Sequence, residues 1–326
     1  MDDLKDRSSG SAMPLVMLLL TFVLCVILSY AQQRRSAEAA QMPATDPVVA
    51  AAGDIACDQT PNAPPPDADE GSGGCKQTST GQLLSSRKFD AILTLGDEQY
   101  DSGTLPQFMS SYDKTWGRYK DITYPIPGNH EYETPGASGY YSYYGARAGD
   151  PKKGYYSFGL GAWHVIAINA NCADIGGCNK GSAEERWLRA DLSAHPASCT
   201  LAYWHQPRFS SGHHHSDPTY DAFWQDLYAV HADLVLNGHD HLYERFAPQT
   251  PSGSPASNGI REIIAGTGGR SHYQFTKIEP NSEVRNNTTF GILELTLHPH
   301  SYDWRFVPVG AGSFSDTGSQ RCHGRA

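Results

Sequence analysis

Five short polar motifs follow one another down this chain, each directly after an apolar run: Gly53-Asp54, Gly96-Asp97-Glu98-Gln99-Tyr100, Gly128-Asn129-His130-Glu131, Trp204-His205 and Gly238-His239-Asp240-His241. A short apolar run that ends in glycine and a ligand-type side chain reads as a buried strand emptying into a loop. The runs are Val48 to Ala52, Ala91 to Leu95, Ile122 to Pro127, Thr200 to Trp204 and Leu234 to Leu236. In an open α/β sheet, ligands collect beyond the carboxyl ends of the strands, so five such ends predict one shared site. Taken singly, a Gly-Asp or Asn-His pair is a turn or an N-cap, because both arise constantly in loops. The ordered set points instead to two metal ions.

A pair of metals needs one bridging carboxylate, several terminal nitrogen and oxygen donors, and an open edge for substrate. Asp97 is the natural bridge, with Asp54, Tyr100, Asn129, His205, His239 and His241 as terminal donors. That mixture suits Fe, Zn or Mn better than a thiolate-loving ion. His239 and His241 lie two apart, so in an extended strand end they share a face and each serves a neighbouring metal.

The 326 residues carry a formal charge of −10, which argues against a nucleic-acid-binding surface of the general basic kind. A phosphate substrate is compatible, since bound cations would dominate the local field. With 39% hydrophobic and 18% charged residues, and no repeat of twenty to fifty residues, the composition is that of one ordinary globular domain. Residues 15–28 are almost continuously apolar, with Lys5 and Arg7 before them and Arg34 and Arg35 after. Residues 1–31 therefore read as a signal peptide or an uncleaved membrane anchor, followed by a polar linker at 32–45 and the functional domain at 46–326. Either form of leader places that domain outside the cytoplasm.

Cys57, Cys75, Cys172, Cys178, Cys199 and Cys322 make an even number in that domain, and an oxidising compartment favours disulfides. Six cysteines allow fifteen pairings. Joining sequence neighbours gives Cys57 with Cys75 and Cys172 with Cys178, and leaves Cys199 with Cys322.

Ser182-x-x-Glu185 is a capping box opening a helix that carries Leu188 and Leu192 on one face. A second helix follows Pro218, with Phe223, Trp224, Leu227 and Val230 as its buried stripe. Tyr155 to Ala170 and Phe290 to Val309 read as paired or consecutive strands. The whole pattern predicts an α/β fold, a four-layer αββα sandwich of two mixed β-sheets with the dinuclear site at the C-terminal ends of the strands. Tyr140, Tyr141, Tyr143 and Tyr144 form either core or a loop lid.

On these residues the chain resembles the calcineurin-like metallophosphoesterases, and within them the purple acid phosphatases. The wider superfamily opens on Asp-x-His, whereas Asp54 is followed by Ile55 and Ala56. Purple acid phosphatases lack that histidine too, and carry a tyrosine three residues after the bridging aspartate, as Tyr100 stands after Asp97. The resemblance implies that Asp54, Asp97, Tyr100 and His241 hold one metal, and Asp97, Asn129, His205 and His239 the other. A phenolate is a hard anionic ligand, so Fe(III) is implied at the first position and Fe(II), Zn or Mn at the second.

The same resemblance makes His130 the histidine that meets the substrate phosphate or its leaving group. It also makes His214 and His215, nine and ten residues after His205, outer histidines that with His130 protonate the departing alkoxide. Gly266-Thr267-Gly268-Gly269 resembles a loop near the same site. The implied activity is that of an exported phosphatase hydrolysing small phosphate monoesters by a metal-bridging hydroxide in line with the leaving group. A phosphodiesterase or nucleotidase on the same scaffold is the alternative, and a non-catalytic cell-surface module with structural metals is a different class. The remaining histidines, His164 and His195 among them, read as surface or satisfied structural residues.

Overall fold

Where a strand is covered on both faces, its sequence is an unbroken apolar run and not an alternation. The first strand, β1 (Val48–Ala52), shows this: Val49 and Ala51 enter one buried cluster of side chains, while Ala50 and Ala52 enter another. The structure, a computed structural model, describes residues 46–58, 75–310 and 314–324. The apolar segment at 15–28 and the linker at 32–45 lie outside the described residues.

After β1 come α1 (Gln77–Leu83), β2 (Ala91–Leu95), α2 (Leu105–Ser110), β3 (Thr123–Ile126), α3 (Asn129–Tyr132) and α4 (Ser138–Tyr144). Then follow β4 (Tyr156–Leu160), β5 (Trp163–Ala167), α5 (Cys172–Ile175), α6 (Ala183–Ala194), β6 (Cys199–Tyr203) and α7 (Asp221–Ala229). The remaining strands are β7 (Leu234–Asn237), β8 (Tyr243–Phe246), β9 (Arg261–Ala265), β10 (Ser282–Asn286), β11 (Gly291–His298), β12 (Ser301–Pro308) and β13 (Thr317–Arg321).

They form two mixed sheets, one of six strands in the order β13-β12-β11-β1-β2-β3 and one of seven in the order β10-β8-β9-β7-β6-β5-β4. The parallel strands lie together, β1 with β2 and β3 in the first sheet and β5, β6, β7 and β9 in the second. Parallel neighbours point their carboxyl ends the same way, which is what gathers the motif loops.

One large core holds Leu93, Leu95 and Leu295 of the first sheet together with Val165, Leu201 and Val235 of the second. The stripes of α6 (Leu188, Leu192) and α7 (Phe223, Trp224, Leu227) join it. A second core backs the six-stranded sheet, where Phe108, Trp116 and the four tyrosines 140, 141, 143 and 144 pack on Ala50, Ala52 and Ile92. The tyrosine cluster is therefore core, with Tyr143 stacked on Phe108 at 4.8 Å between ring centroids. The four-layer αββα arrangement expected from the sequence is the one observed.

Two local expectations shift by a residue. The Ser182 hydroxyl accepts from the Glu185 N–H at 3.2 Å, but the Glu185 carboxylate reaches back to the N–H of Gly181, not that of Ser182. The helix after Pro218 ends at Ala229, which leaves Val230 as its C-cap. All three disulfides pair as the sequence neighbours suggested: Cys57–Cys75, Cys172–Cys178 and Cys199–Cys322. The last spans 123 residues and ties the start of β6 to the C-terminal segment.

Candidate metal centre

The loops after β1, β2, β3, β6 and β7 converge on the Asp97 carboxylate. On one flank, the Tyr100 hydroxyl lies 3.0 Å from Asp97 Oδ2, 3.0 Å from Asp54 Oδ1 and 2.9 Å from His241 Nε2. On the other flank of the same Asp97 oxygen, His205 Nε2 stands 3.2 Å away, and His239 Nδ1 is 3.3 Å from that nitrogen. Two clusters of donors thus share one carboxylate oxygen. Asn129 Oδ1 is buried with no hydrogen-bond partner, a state that calls for an occupant such as a cation.

The imidazoles are oriented from behind. His205 Nδ1 donates to the Leu95 carbonyl at 2.7 Å, and His241 Nδ1 to the Ser271 carbonyl at 2.6 Å. A carbonyl can only accept, so each Nδ1 keeps its proton and Nε2 is the nitrogen turned inward, the one through which the imidazole would bind metal once it carries no proton. Burial pushes the Tyr100 phenol well above its ordinary pKa, and the Asp54 and Asp97 charges push it further. Burial disfavours a charged His205, yet the Asp97 and Asp54 carboxylates and the Leu95 carbonyl together outweigh it and raise that pKa to about 9. Both groups hold protons that a bound cation would displace.

Backbone strain concentrates on the same atoms. Asp54, Asp97 and His239 sit at φ 60, 49 and 68°, the left-handed region that costs a non-glycine residue about 1–3 kcal/mol. His239 therefore lies in a turn and not in the extended strand end expected from its spacing. The turn sends its ring to the His205 flank while His241 serves the Tyr100 flank. Gly128 is required by close approach, since a Cβ there would meet Asp97 Oδ1 at 2.0 Å. The donors also divide by sheet. Asp54, Asp97, Tyr100 and Asn129, all oxygen donors, follow strands of the six-stranded sheet, and His205, His239 and His241 follow strands of the seven-stranded one.

His130 stands beside this cluster. Its N–H donates to Asp97 Oδ1 at 3.0 Å, its Nδ1 meets the Asp101 carbonyl at 2.5 Å, and its ring lies 4.3 Å from that of Tyr100. Its Nε2 is left 3.9 Å from Asp97 Oδ2. His214 stacks on His239 at 4.0 Å, and Asp240 fixes it by facing both its N–H and its Nδ1. His215 turns elsewhere, with Nδ1 3.2 Å from the Thr276 hydroxyl.

Four residues at the site had been given no role from the sequence. Glu131 accepts from the N–H groups of Asp97, Gly128 and Gln99, at 3.0, 2.8 and 3.1 Å, and so locks the second motif to the third. Asp240 is buried between the last motif and Gly212. Tyr273 stacks on His241 at 4.0 Å, and the Arg270 guanidinium lies 4.9 Å from the Tyr100 ring centre. Glu131 and Asp240 were inside motifs already, where an acid with no metal to bind has to be bonding backbone. Arg270 and Tyr273 had no such signal beyond lying just after the Gly266 to Gly269 loop, which packs on the first motif through the Gly268 N–H to the Gly53 carbonyl. Glu131→Ala is expected to destabilise the fold by at least about 3 kcal/mol, because three buried N–H groups lose their acceptor. Denaturant unfolding of the variant, with a midpoint equal to the wild type, would contradict that.

The calcineurin-like phosphoesterase model matches residues 50–243, from β1 through the last motif. The chain belongs to this family. Among curated proteins, this calcineurin-like phosphoesterase is 30% identical over 205 residues to purple acid phosphatase 15 of Arabidopsis thaliana, a match covering 52% of this chain and 38% of that one. In three dimensions it is similar to the purple acid phosphatase PPD1 of yellow lupin, with a TM-score of 0.65 at 17% identity over 84% of this chain and 53% of that one. It is also similar to GAP50, described as the anchor in the inner membrane complex of Plasmodium, with a TM-score of 0.60 at 16% identity over 86% and 90%. The match thus takes in well under half of the Arabidopsis relative, and the two structural likenesses speak for the fold alone.

Proposed function

We propose that this calcineurin-like phosphoesterase is an exported, metal-dependent phosphatase acting on small phosphate monoesters, with residues 46–326 as its catalytic domain. The observation that carries the reading is the single Asp97 oxygen set between a Tyr100 flank and a His205 flank, each completed by donors in binding tautomers. Asp54, Asp97, Tyr100 and His241 would hold one ion, and Asp97, Asn129, His205 and His239 the other. Bound there, two such cations neutralise phosphate oxygens and lower the pKa of water enough to make a nucleophile at moderate pH.

The rest of the chemistry belongs to the chain. His130, with Nδ1 committed to Asp101, has Nε2 available on the cluster side to hold a proton for the leaving alkoxide. His214 is held at the rim by Asp240, in a position to meet a phosphate oxygen, while His215 is one step further out. Tyr100 is flanked by two carboxylates that resist its ionisation, so a strongly charged ion such as Fe(III) is the fitting partner for its phenolate. Fe(II), Zn or Mn fits the nitrogen-rich flank. Three disulfides accord with an oxidising compartment and hence with a secreted or outward-facing protein. Among the described residues, no helix is long and apolar enough to cross a membrane.

The test is elemental analysis of purified full chain, joined to turnover of a monoester, a diester and a nucleotide before and after chelation. Two metals per chain, with monoester turnover that chelation removes, is the expected result. Preference for the diester or nucleotide would transfer the assignment to a phosphodiesterase or nucleotidase. Two tightly held metals with no ester turnover would mark a structural module.

A further inference from the structure

We propose that His164, Asp191 and His195 form a third metal site, mononuclear and zinc-binding, at the far end of the seven-stranded sheet from Asp97. His164 is the second residue of β5 and pairs in register with Thr200 near the start of β6, whereas the motif histidines follow the other ends of these parallel strands. Asp191 and His195 stand four apart at the end of α6, a spacing that puts both on one face.

The geometry calls for an ion. His164 Nε2 is 2.9 Å from Asp191 Oδ2, and His195 Nδ1 is 3.0 Å from Asp191 Oδ1 and 3.1 Å from the Asp191 main-chain carbonyl, a contact that the exposed His195 ring would give up to serve an ion. The three residues offer donor atoms that all lie within 4.8 Å of one another. Neither ring nitrogen of His164, a residue only 5% exposed, nor Asp191 Oδ2 has a partner in hydrogen-bonding geometry. Their close approach is an ion pair out of line with the ring N–H, and His164 Nδ1 has no hydrogen-bond partner, an arrangement that native interiors avoid. A cation between them resolves it. Tetrahedral zinc with bonds of about 2.0–2.1 Å sets its donors roughly 3.3 Å apart, and each histidine places a nitrogen 2.9 or 3.0 Å from an Asp191 oxygen.

Asp191 is steadied as a ligating carboxylate would be, by the Ser157 hydroxyl donating to Oδ1 at 2.7 Å. Two imidazoles and one carboxylate favour Zn(II) over the all-oxygen preference of Ca(II) or Mg(II). His164 and His195 also line a cavity of about 600 Å³, which has room for water or a small anion as the fourth partner of a three-ligand zinc ion. His164 is thus a buried histidine paired with Asp191 on one nitrogen and without a hydrogen-bond partner on the other, so its reading as a satisfied structural histidine holds only in part.

The test is zinc content of full chain equilibrated with excess Zn(II) and then freed of loosely held metal by gel filtration. Wild type is expected to carry one equivalent more than His195→Ala, a variant of a half-exposed side chain whose phosphatase turnover should match wild type. The same single-equivalent difference is expected between Asp97→Ala and the Asp97→Ala, His195→Ala double variant, so the result stands apart from whatever happens at the dinuclear centre. Equal zinc with and without His195, in both backgrounds, overturns the proposal and leaves an ion pair.

Discussion

Asp97→Ala is expected to lower kcat for phosphate ester hydrolysis by roughly three orders of magnitude, the equivalent of about 4 kcal/mol of transition-state stabilisation. Every other donor serves one flank of the cluster, whereas Asp97 Oδ2 faces Tyr100 on one side and His205 on the other. Its loss removes a ligand from both positions at once. Asp97→Asn is the informative companion, because it keeps the volume beside Gly128 and the acceptor for the His130 N–H while removing the charge. Both variants should retain the wild-type circular dichroism spectrum. If Asp97→Ala were to bind two metals and keep half the wild-type turnover, the bridging role would be wrong.

Tyr100→Phe is expected to abolish the visible absorption of iron-loaded protein. A phenolate bound to Fe(III) gives a tyrosinate-to-iron band, and a phenyl ring cannot. The Tyr100 hydroxyl stands within hydrogen-bonding distance of Asp54, Asp97 and His241 together, which makes it the phenol placed to bind that ion. The removed hydroxyl also leaves Asp54 Oδ1 and Asp97 Oδ2 without that donor, which should weaken iron retention on the same flank. An iron-loaded wild type with no such band would remove the Fe(III)-phenolate reading while leaving hydrolysis by other metals untouched. A coloured Tyr100→Phe protein would place the phenolate elsewhere.

What could be read from the sequence was whatever a strand does locally. The five apolar runs announced their strands, since parallel strands buried on both faces cannot alternate, and the residues just past them fell where the runs ended. The three disulfides followed from cysteine number and spacing. What was hidden depends on chain segments that meet only after folding. Arg270 over Tyr100 joins residues 170 positions apart, and Tyr273 against His241 depends on how the loop after β9 folds back. The left-handed turn at His239 was hidden for another reason: histidine carries no glycine-like mark of positive φ, so its spacing from His241 read as extended. The meeting of His164 with Asp191 belongs with these, because only tertiary packing brings the end of α6 onto β5.

The division of donors between the sheets means that neither sheet alone carries the full set proposed to hold the ions. A chain with only its six-stranded sheet formed would present hard oxygen ligands alone, and one with only the other sheet would present imidazoles alone. Neither half-built chain has the mixed set that discriminates among the ions competing for it. If two ions bind as proposed, they would join the two sheets, so that chelation should lower the stability of the whole sandwich and not merely empty a pocket.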